Sequence, residues 1–392
     1  MKHLSVYIIC CLFVIPVMAQ NNIDTVLQAV AVNNKAIQSN QKYWEARKAE
    51  SKTGLTPYDP VVEYDYMIGS QAGAGNQKDF SVTQRFDFPT SYKRKKILSG
   101  LQITQADLQH QVFRQNILLQ TKLLLFDIVY LNKKQAILNQ RLLQTEQLVQ
   151  DYQKKLDAGE VIILDVNRAR LELLNVQHEF SLNDISIQSM KTKLTELNGG
   201  FEMDNRDTIY PDLPRIPDFE TLDSTIEAND PLIKIYEQEK IIMEQQINLQ
   251  RSMNLPKIET GYHSQGILGQ SYRGVHAGIT IPLWENKNRV KTAQAYLDYA
   301  VGNASAHRLE HRLENKQLYD QLAIRVSAMQ EYQNLMGELR NTELLDKALR
   351  LGQITVIDYF RDQTYYFSAY DRYLQMELEY YKAVAELYKY LL

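Results

Sequence analysis

The spacing of His307, Glu310 and His311 could support zinc chemistry. In an H-x-x-E-H segment, two histidines four residues apart on a helix can bind Zn²⁺, and the glutamate can act as the general base of a protease. The segment lies within a long predicted helix, and no sequence feature identifies a third ligand. We therefore expect a solvated or interhelical surface here, with catalysis and adventitious metal binding as the alternatives.

Other enzyme patterns are missing from the sequence. We find no glycine-rich phosphate loop, nucleophile elbow or catalytic triad spacing. The sequence therefore predicts a protein that is not an enzyme and that has no metal, no cofactor and no catalytic residues.

Composition excludes two further classes of protein. The 392 residues include 44 Lys+Arg and 47 Asp+Glu, so the formal net charge is −3. Without a large basic block, nucleic acid is not expected as the main partner. The longest apolar run, residues 4–18, is too short to span a bilayer as a helix. A polytopic helical membrane protein is therefore excluded.

The N-terminus predicts export from the cytoplasm. A short positive segment, Met1–His3, precedes an apolar segment, Leu4–Pro16, and the small-residue cleavage pattern at 17–19. Residues 1–19 are therefore predicted to be a signal peptide. Both cysteines, Cys10 and Cys11, lie within it, so the mature chain has no disulfide, and the pattern does not favour a lipid anchor.

The mature chain contains an internal repeat. Residues 60–66 align with 256–262 with identical Pro, Glu and Tyr, and residues 156–168 align with 349–361 with identical Leu, Gly, Asp and Arg. The near-constant offset of 193 to 196 residues predicts two structural repeats. The predicted organisation is a first repeat at 20–198, a Pro- and Asp-rich linker at 199–222, and a second repeat at 223–392.

Each repeat has the same predicted order of elements. A helix (23–55; 223–253) precedes two alternating segments, a very long helix (92–156; 285–350), a glycine-marked break (156–168; 349–361) and a return helix (162–198; 355–391). The longest helices would reach about 100 Å at ~1.5 Å per residue. Their apolar residues recur at intervals of three and four, which predicts coiled-coil packing.

The alternating segments read as four β-strands. They lie at about 60–69, 79–89, 256–267 and 272–282, and a tilted strand of this length can cross a bilayer. Their apolar and polar residues fall on opposite faces, as in a barrel with a wet lumen. The predicted lumen residues are Glu63, Asp65, Arg85, Asp87, Glu259, His263 and His276. A soluble sheet that caps a coiled coil is the alternative.

Four strands cannot close a barrel in a membrane. Open sheet edges in lipid leave backbone groups unpaired, at a cost of several kcal/mol each. The membrane interpretation therefore requires two, three or four copies, which would give eight, twelve or sixteen strands.

The order of these elements, with the segment GITIPLWENKNRVKTAQAYLDYA after the fourth strand, resembles the TolC family of outer-membrane efflux proteins. The resemblance covers essentially the whole mature chain. It implies a mainly α fold with a membrane β-barrel, in which a trimer forms a twelve-stranded barrel continued by a helical periplasmic tunnel. It also implies three partners besides outer-membrane lipid: further copies of the chain, a periplasmic adaptor protein and an inner-membrane efflux pump, for which the RND type is one candidate.

The resemblance places the two glycine-marked breaks at the periplasmic tip of the tunnel. It implies gating by Asp165, Arg168, Asp358, Arg361 and Asp362, and adaptor docking at the turns of Gly159 and Gly352. Some relatives carry an acidic residue where this chain has Arg361, so a ring of Asp358 would be partly neutralised. Simple helix capping is the alternative for all of these positions.

The expected function is passive export through an outer-membrane channel. A trimeric coiled-coil surface or scaffold protein with a soluble β head is the alternative. The basic runs Lys93–Lys96 and Lys287–Lys291 follow the second and fourth strands. They could anchor the junction between barrel and tunnel, or they could be solvated helix starts.

Overall fold

A computed structural model describes residues 23–213, 215–338 and 341–392; the predicted signal peptide at 1–19 lies outside them. The helices are α1 (Ile23–Asn33), α2 (Lys35–Glu50), α3 (Pro89–Asp157), α4 (Ile163–Leu197), α5 (Phe219–Asn229), α6 (Pro231–Ser252), α7 (Arg289–Glu338), α8 (Asn341–Arg350) and α9 (Val356–Leu387), followed by a 3-10 helix at Lys389–Leu391. The strands are β1 (Val61–Ile68), β2 (Asn76–Phe86), β3 (Lys257–Ile267) and β4 (Gln270–Thr280).

Long helices dominate the molecule, and the prediction of a mainly helical chain is confirmed, since 70% of the described residues are helical. The 69 residues of α3 span about 100 Å, far more than an ordinary globular core requires. This helix packs against α4, α6 and α9, while α7 packs against α6 and α9. Within the described residues, no helix is both long enough and apolar enough to cross a membrane.

The first helix of each repeat is broken in two, so the prediction of single helices over 23–55 and 223–253 is wrong. In the first repeat, the Asn34 side chain accepts a hydrogen bond from the Ile37 amide at 2.9 Å and caps α2. In the second, Asp230 accepts from the Leu232 amide at 2.9 Å and caps α6. Pro231 also disfavours helical backbone at Asp230. The N-cap side chains therefore fix a break in each repeat.

The four strands form one antiparallel sheet in the order β1-β2-β3-β4. Within it, Val62 lies opposite Val82, which lies opposite Tyr262, which in turn lies opposite Val275. Because side chains alternate across a strand, this register gathers most apolar positions on one face, which also carries Lys78 and Arg273 near the hairpin loops, and most polar positions on the other. Strands β1 and β4 are the two edges of the sheet.

Aromatic packing joins the two repeats away from the sheet. Tyr210 in the linker stacks on Tyr381 of α9 with ring centroids 4.1 Å apart, and Phe126 of α3 meets the Tyr210 ring edge-on at 5.7 Å. Phe126 is completely buried in the largest apolar cluster, which also contains α1 and α4 residues. The linker is thus part of the core, and these contacts account for part of the tyrosine content.

Candidate functional site

The polar face of the sheet brings together most of the predicted lumen residues. Register places Ser81 between Glu63 and His263, and it places Arg85 opposite Glu259. We call the polar sheet face the side that carries Glu63, Asp65, Asp79, Arg85, Glu259, His263 and His276. Residues from all four strands therefore form one polar surface.

Charges on the polar sheet face are only partly paired. Arg85 Nε lies 2.5 Å from one Glu259 oxygen, and His276 Nε2 lies 3.3 Å from the other. Asp65 lies directly opposite Asp79 on the neighbouring strand, and like charges in that position destabilise a sheet. This face therefore carries an unfavourable juxtaposition of charge that a water-filled space would tolerate better than a packed core.

Two positions on this face differ from the prediction. Asp87 was predicted to face the lumen, but β2 ends at Phe86, and the Asp87 side chain is buried at the start of α3, where Lys95 Nζ lies 2.9 Å away. Conversely, Asp79 belongs to the polar sheet face and was not among the predicted residues. The period-two pattern of Ser81 and Thr83, extended by one step, would have identified it.

The opposite face of the sheet is apolar and uncovered. Val275 is 92% exposed, Ile68 76% and Ile279 72%, although each has the parity that a packed sheet would turn toward its core. We call this side the apolar sheet face; it carries Val62, Tyr64, Tyr66, Ile68, Phe80, Val82, Ile258, Tyr262, Val275 and Ile279. A contiguous exposed patch of this kind marks an interaction surface, with protein or with lipid.

Glycine closes each helical hairpin at the end far from the sheet. Gly159 has φ +77° and Gly352 has φ +68°, a region that residues with a Cβ rarely adopt. In the first turn, the Glu160 amide donates to the Lys155 carbonyl and the Gly159 amide donates to the Leu156 carbonyl; the second turn repeats this pattern. Both are Schellman caps. The space that a Cβ would enter is open at both glycines.

The predicted tip carboxylates lie in the first turns of α4 and α9, and each pairs with an arginine of its own helix. Asp165 lies 2.8 Å from Arg168, and Asp358 lies 3.0 Å from Arg361. The Thr355 hydroxyl donates to Asp358 at 2.6 Å, and this bond, with the nearby Arg361 charge, holds the pKa of Asp358 below its usual value. Asp358 is therefore a charged carboxylate that is partly neutralised within its own chain.

The two tips are packed together by a shared apolar cluster. Tyr152 and Val166 of the first repeat contact Val356 and Tyr359 of the second. The Tyr359 hydroxyl donates to Asp346 at 2.7 Å and accepts from the Gln363 amide at 2.6 Å. Burial, together with the bond to Asp346, raises the pKa of Tyr359. This tyrosine therefore ties α8 to α9 at the tip, a link that sequence analysis did not identify.

The histidine pair of the H-x-x-E-H segment has structural contacts. The His307 ring lies over Tyr236 with centroids 4.2 Å apart, and buried His311 lies 3.4 Å from Asp230, while Glu310 points to solvent. Across the described ranges, no group of three or more His, Cys, Asp or Glu side chains is placed to hold a metal ion. The interhelical interpretation therefore fits these contacts.

Comparison with known proteins identifies the fold of this chain. No protein-family model matches the sequence, and no curated protein matches it. Among solved structures, the outer-membrane channel OprN matches with a TM-score of 0.77 and 16% identity over 94% of this chain and 89% of that chain. CusC, whose structures show conformational changes that accompany folding and transmembrane channel formation, matches with a TM-score of 0.74 and 13% identity over 95% of this chain and 92% of that chain.

A third match is the open state of the MtrE outer membrane channel of Neisseria gonorrhoeae, with a TM-score of 0.68 and 13% identity over 94% of this chain and 88% of that chain. These structures are outer-membrane efflux channels of the TolC type. The predicted resemblance is confirmed at the level of fold: this chain has the TolC-like fold.

Proposed function

We propose that this protein is an outer-membrane channel that passively exports substrate delivered by an inner-membrane pump through a periplasmic adaptor. The carrying observation is a sheet with one exposed apolar face and one charged face, attached to long helices of which the longest, α3, spans about 100 Å. A lipid shell and a water-filled lumen satisfy the two faces at once.

The apolar sheet face also weighs against the alternative of a soluble β head. In the single chain, the Val275 side chain is 92% exposed and the Ile279 side chain 72% exposed. A soluble head would leave these apolar side chains in water. At about 25 cal/mol per Å² of apolar surface, covering this face is strongly favourable. Lipid provides that cover around the whole circumference of a barrel.

A homotrimer is the assembly proposed for this channel. Edge strands β1 and β4 have unpaired backbone groups, each costing several kcal/mol in lipid. If β4 of one copy pairs with β1 of the next, three copies close twelve strands. The polar sheet faces would then line one lumen, with the helices extending into the periplasm as a tunnel.

At the far end of the tunnel, we assign the tips to gating and docking. Asp165, Arg168, Asp358, Arg361 and Asp362 would surround the narrow end, and the turns of Gly159 and Gly352 would meet the adaptor. The open space beside both glycines supports this role, because a partner can approach the turn closely. Energy for transport would come from the pump, with an RND-type transporter as one candidate.

The test is to reconstitute the purified mature protein in planar bilayers and to follow its assembly in outer-membrane fractions. We expect discrete conductance steps and a trimer that migrates as a monomer after heating. An exclusively soluble monomer without conductance would refute the channel and favour the scaffold alternative.

A further inference from the structure

The junction between the sheet and the long helices carries an exposed apolar segment that the channel proposal does not use. After β4 ends, Ile281 is 65% exposed, Leu283 67% and Trp284 80%. We call residues 281–284 the junction segment. Ile281 directly follows Thr280, the last residue of β4, and lies two residues after Ile279 of the apolar sheet face. The junction segment is thus continuous with the surface assigned to lipid.

Uncompensated basic side chains surround the same end of the sheet. Strands β2 and β4 both run toward this end, because Phe86 and Ile279 lie in register with Ile258 between them. Helices α3 and α7 begin just beyond. Five exposed cations follow the strands, and we call them the basic belt: Lys93, Lys96, Lys287, Arg289 and Lys291.

The local acids do not neutralise the basic belt. Asp87 pairs with Lys95 at 2.9 Å, and Glu285 pairs with Lys257 at 2.8 Å, so both carboxylates are already occupied. Within the part of the chain that the structure describes, none of the five belt residues forms an ion pair. The junction therefore presents net positive charge beside exposed Leu and Trp side chains.

An interfacial location explains this combination. Tryptophan is enriched where a bilayer meets water, since its ring is apolar and its N–H can reach a polar partner. Lysine and arginine near a membrane surface are attracted by anionic headgroups. The 11 residues of β4 would span roughly 28 Å across the bilayer when tilted at about 40°. That distance matches the apolar band of a membrane barrel.

We propose that the junction segment and the basic belt bind the headgroup region of an anionic phospholipid leaflet and fix the depth of the barrel in the membrane. This inference rests on the proposed channel. The residue equivalent to Trp284 in the first repeat, at an offset of 193, is Ser91. Ser91 is fully buried and donates to the Ser252 carbonyl at 3.2 Å. The aromatic contact is therefore a property of the second repeat, made once per copy.

The chain's two tryptophans provide a test with an internal control. Trp44→Phe leaves Trp284 as the reporter, and Trp284→Phe leaves Trp44, which lies in α2 on the helical side of the junction. Each full-length mature variant is reconstituted in vesicles of phosphatidylcholine and phosphatidylglycerol whose acyl chains are brominated near the glycerol. We expect the Trp284 reporter to lose most of its fluorescence and the Trp44 reporter to keep its fluorescence.

Lipid preference tests the basic belt separately. The two lipids are mixed at equal mole fractions, and bromine is placed on only one of them at a time. Brominated phosphatidylglycerol should then quench Trp284 as strongly as if this lipid were enriched about fivefold around the tryptophan. That factor corresponds to an attraction of about 1 kcal/mol between one cation and the anionic headgroups. The double variant Lys287→Glu/Arg289→Glu should lose this preference. These two side chains make no ion pair among the described residues, so the fold should persist.

Flotation and conductance distinguish failure of this inference from failure of the channel. Protein that does not float with the vesicles would overturn both. If the protein floats and conducts while Trp284 emits at short wavelength and is not quenched, Trp284 lies in an apolar environment without lipid. A second copy would then cover the junction segment, and the lipid site would be overturned. Unquenched long-wavelength emission would leave Trp284 in water and overturn it equally.

Discussion

Replacing Asp230 should destabilise the start of α6, at the helix break of the second repeat. Its carboxylate is completely buried, accepts from the Leu232 amide at 2.9 Å, and lies 3.4 Å from His311 and 3.8 Å from Lys389. The Asn315 amide lies 3.1 Å from His311 Nδ1 and can donate to it, which leaves the ring proton on Nε2, toward Asp230. Asp230 is thus an N-cap, a partner for the His311 ring N–H and a partner for the Lys389 ammonium.

The expected cost of Asp230→Ala follows from these contacts. Loss of the cap costs about 1 kcal/mol, and leaving buried polar partners unsatisfied costs about 1–3 kcal/mol more. Together these losses lower the free energy of local opening at the start of α6 by about 2–4 kcal/mol. The amides there should therefore lose protection against hydrogen exchange by roughly thirty-fold to a thousand-fold. Asp230→Asn keeps an oxygen for the Leu232 amide, so it should lose only the charge contribution.

Hydrogen exchange measured by mass spectrometry on the peptide 231–238 is the assay. Asn34→Ala is the matched control, since Asn34 caps the equivalent break through the Ile37 amide and donates to Leu197 at 2.7 Å without any charge. Its effect should be confined to the start of α2. Unchanged protection in Asp230→Ala, or equal losses in Asp230→Ala and Asp230→Asn, would refute the assignment of separate cap and charge contributions.

The charge contribution should depend on pH. Burial raises the pKa of Asp230, but the His311, Leu232 and Lys389 contacts outweigh burial and hold it below the usual value. A lowered folded-state pKa stabilises above the unfolded-state pKa, which is about 4, and that stabilisation is lost as pH falls through the folded-state value. Acidification should therefore shrink the difference between wild type and Asp230→Asn, whereas the Asn34→Ala effect should show no such dependence.

Three further predictions concern the tip. Tyr359→Phe removes the bridge between Asp346 and Gln363, so it should destabilise the α8–α9 contact by about 1–3 kcal/mol and speed proteolysis near residue 350; unchanged cleavage would contradict the bridge. Arg361→Ala unmasks the Asp358 carboxylate, so block of single-channel currents by multivalent cations should strengthen, whereas Asp358→Ala should abolish it; identical currents would return both residues to capping. Gly352→Val should cost about 1–2 kcal/mol of backbone strain and abolish efflux with trimers intact, while Gly54→Val, also at positive φ in open space, should preserve efflux; efflux surviving Gly352→Val would place docking elsewhere.

Sequence reasoning predicted the features that depend on periodicity. The alternation of Val62, Tyr64 and Tyr66 with Glu63 and Asp65 fixed strand β1 and its faces, since a strand has only two sides. The three-and-four spacing in α3 predicted a helix that the structure begins within three residues of the expected start. Patterns that repeat over many residues are robust to local error.

The features that depended on single side chains were harder to predict. Asn34 and Asp230 interrupt otherwise helical patterns, and only the Asp-Pro pair at 230–231 gave a local signal. Asp87 has the parity of a lumen residue, but Pro89 begins α3 two residues later, so the carboxylate turns into the junction and meets Lys95. Where a strand becomes a helix, parity stops being informative, because the period of the chain changes from two to 3.6 residues.

The two repeats share a backbone plan but differ in chemistry where they meet different surroundings. At the helix break, the first repeat uses neutral Asn34 against a carbonyl, while the second uses the Asp230 carboxylate against the Lys389 ammonium. At the junction, Ser91 is buried and Trp284 is exposed. Closing a barrel from identical copies requires only that the backbones match, so side chains at equivalent positions are free to diverge. Differences between repeats therefore indicate which surface each one presents, and if the proposed channel is correct they predict that the second repeat makes the main contact with the membrane interface.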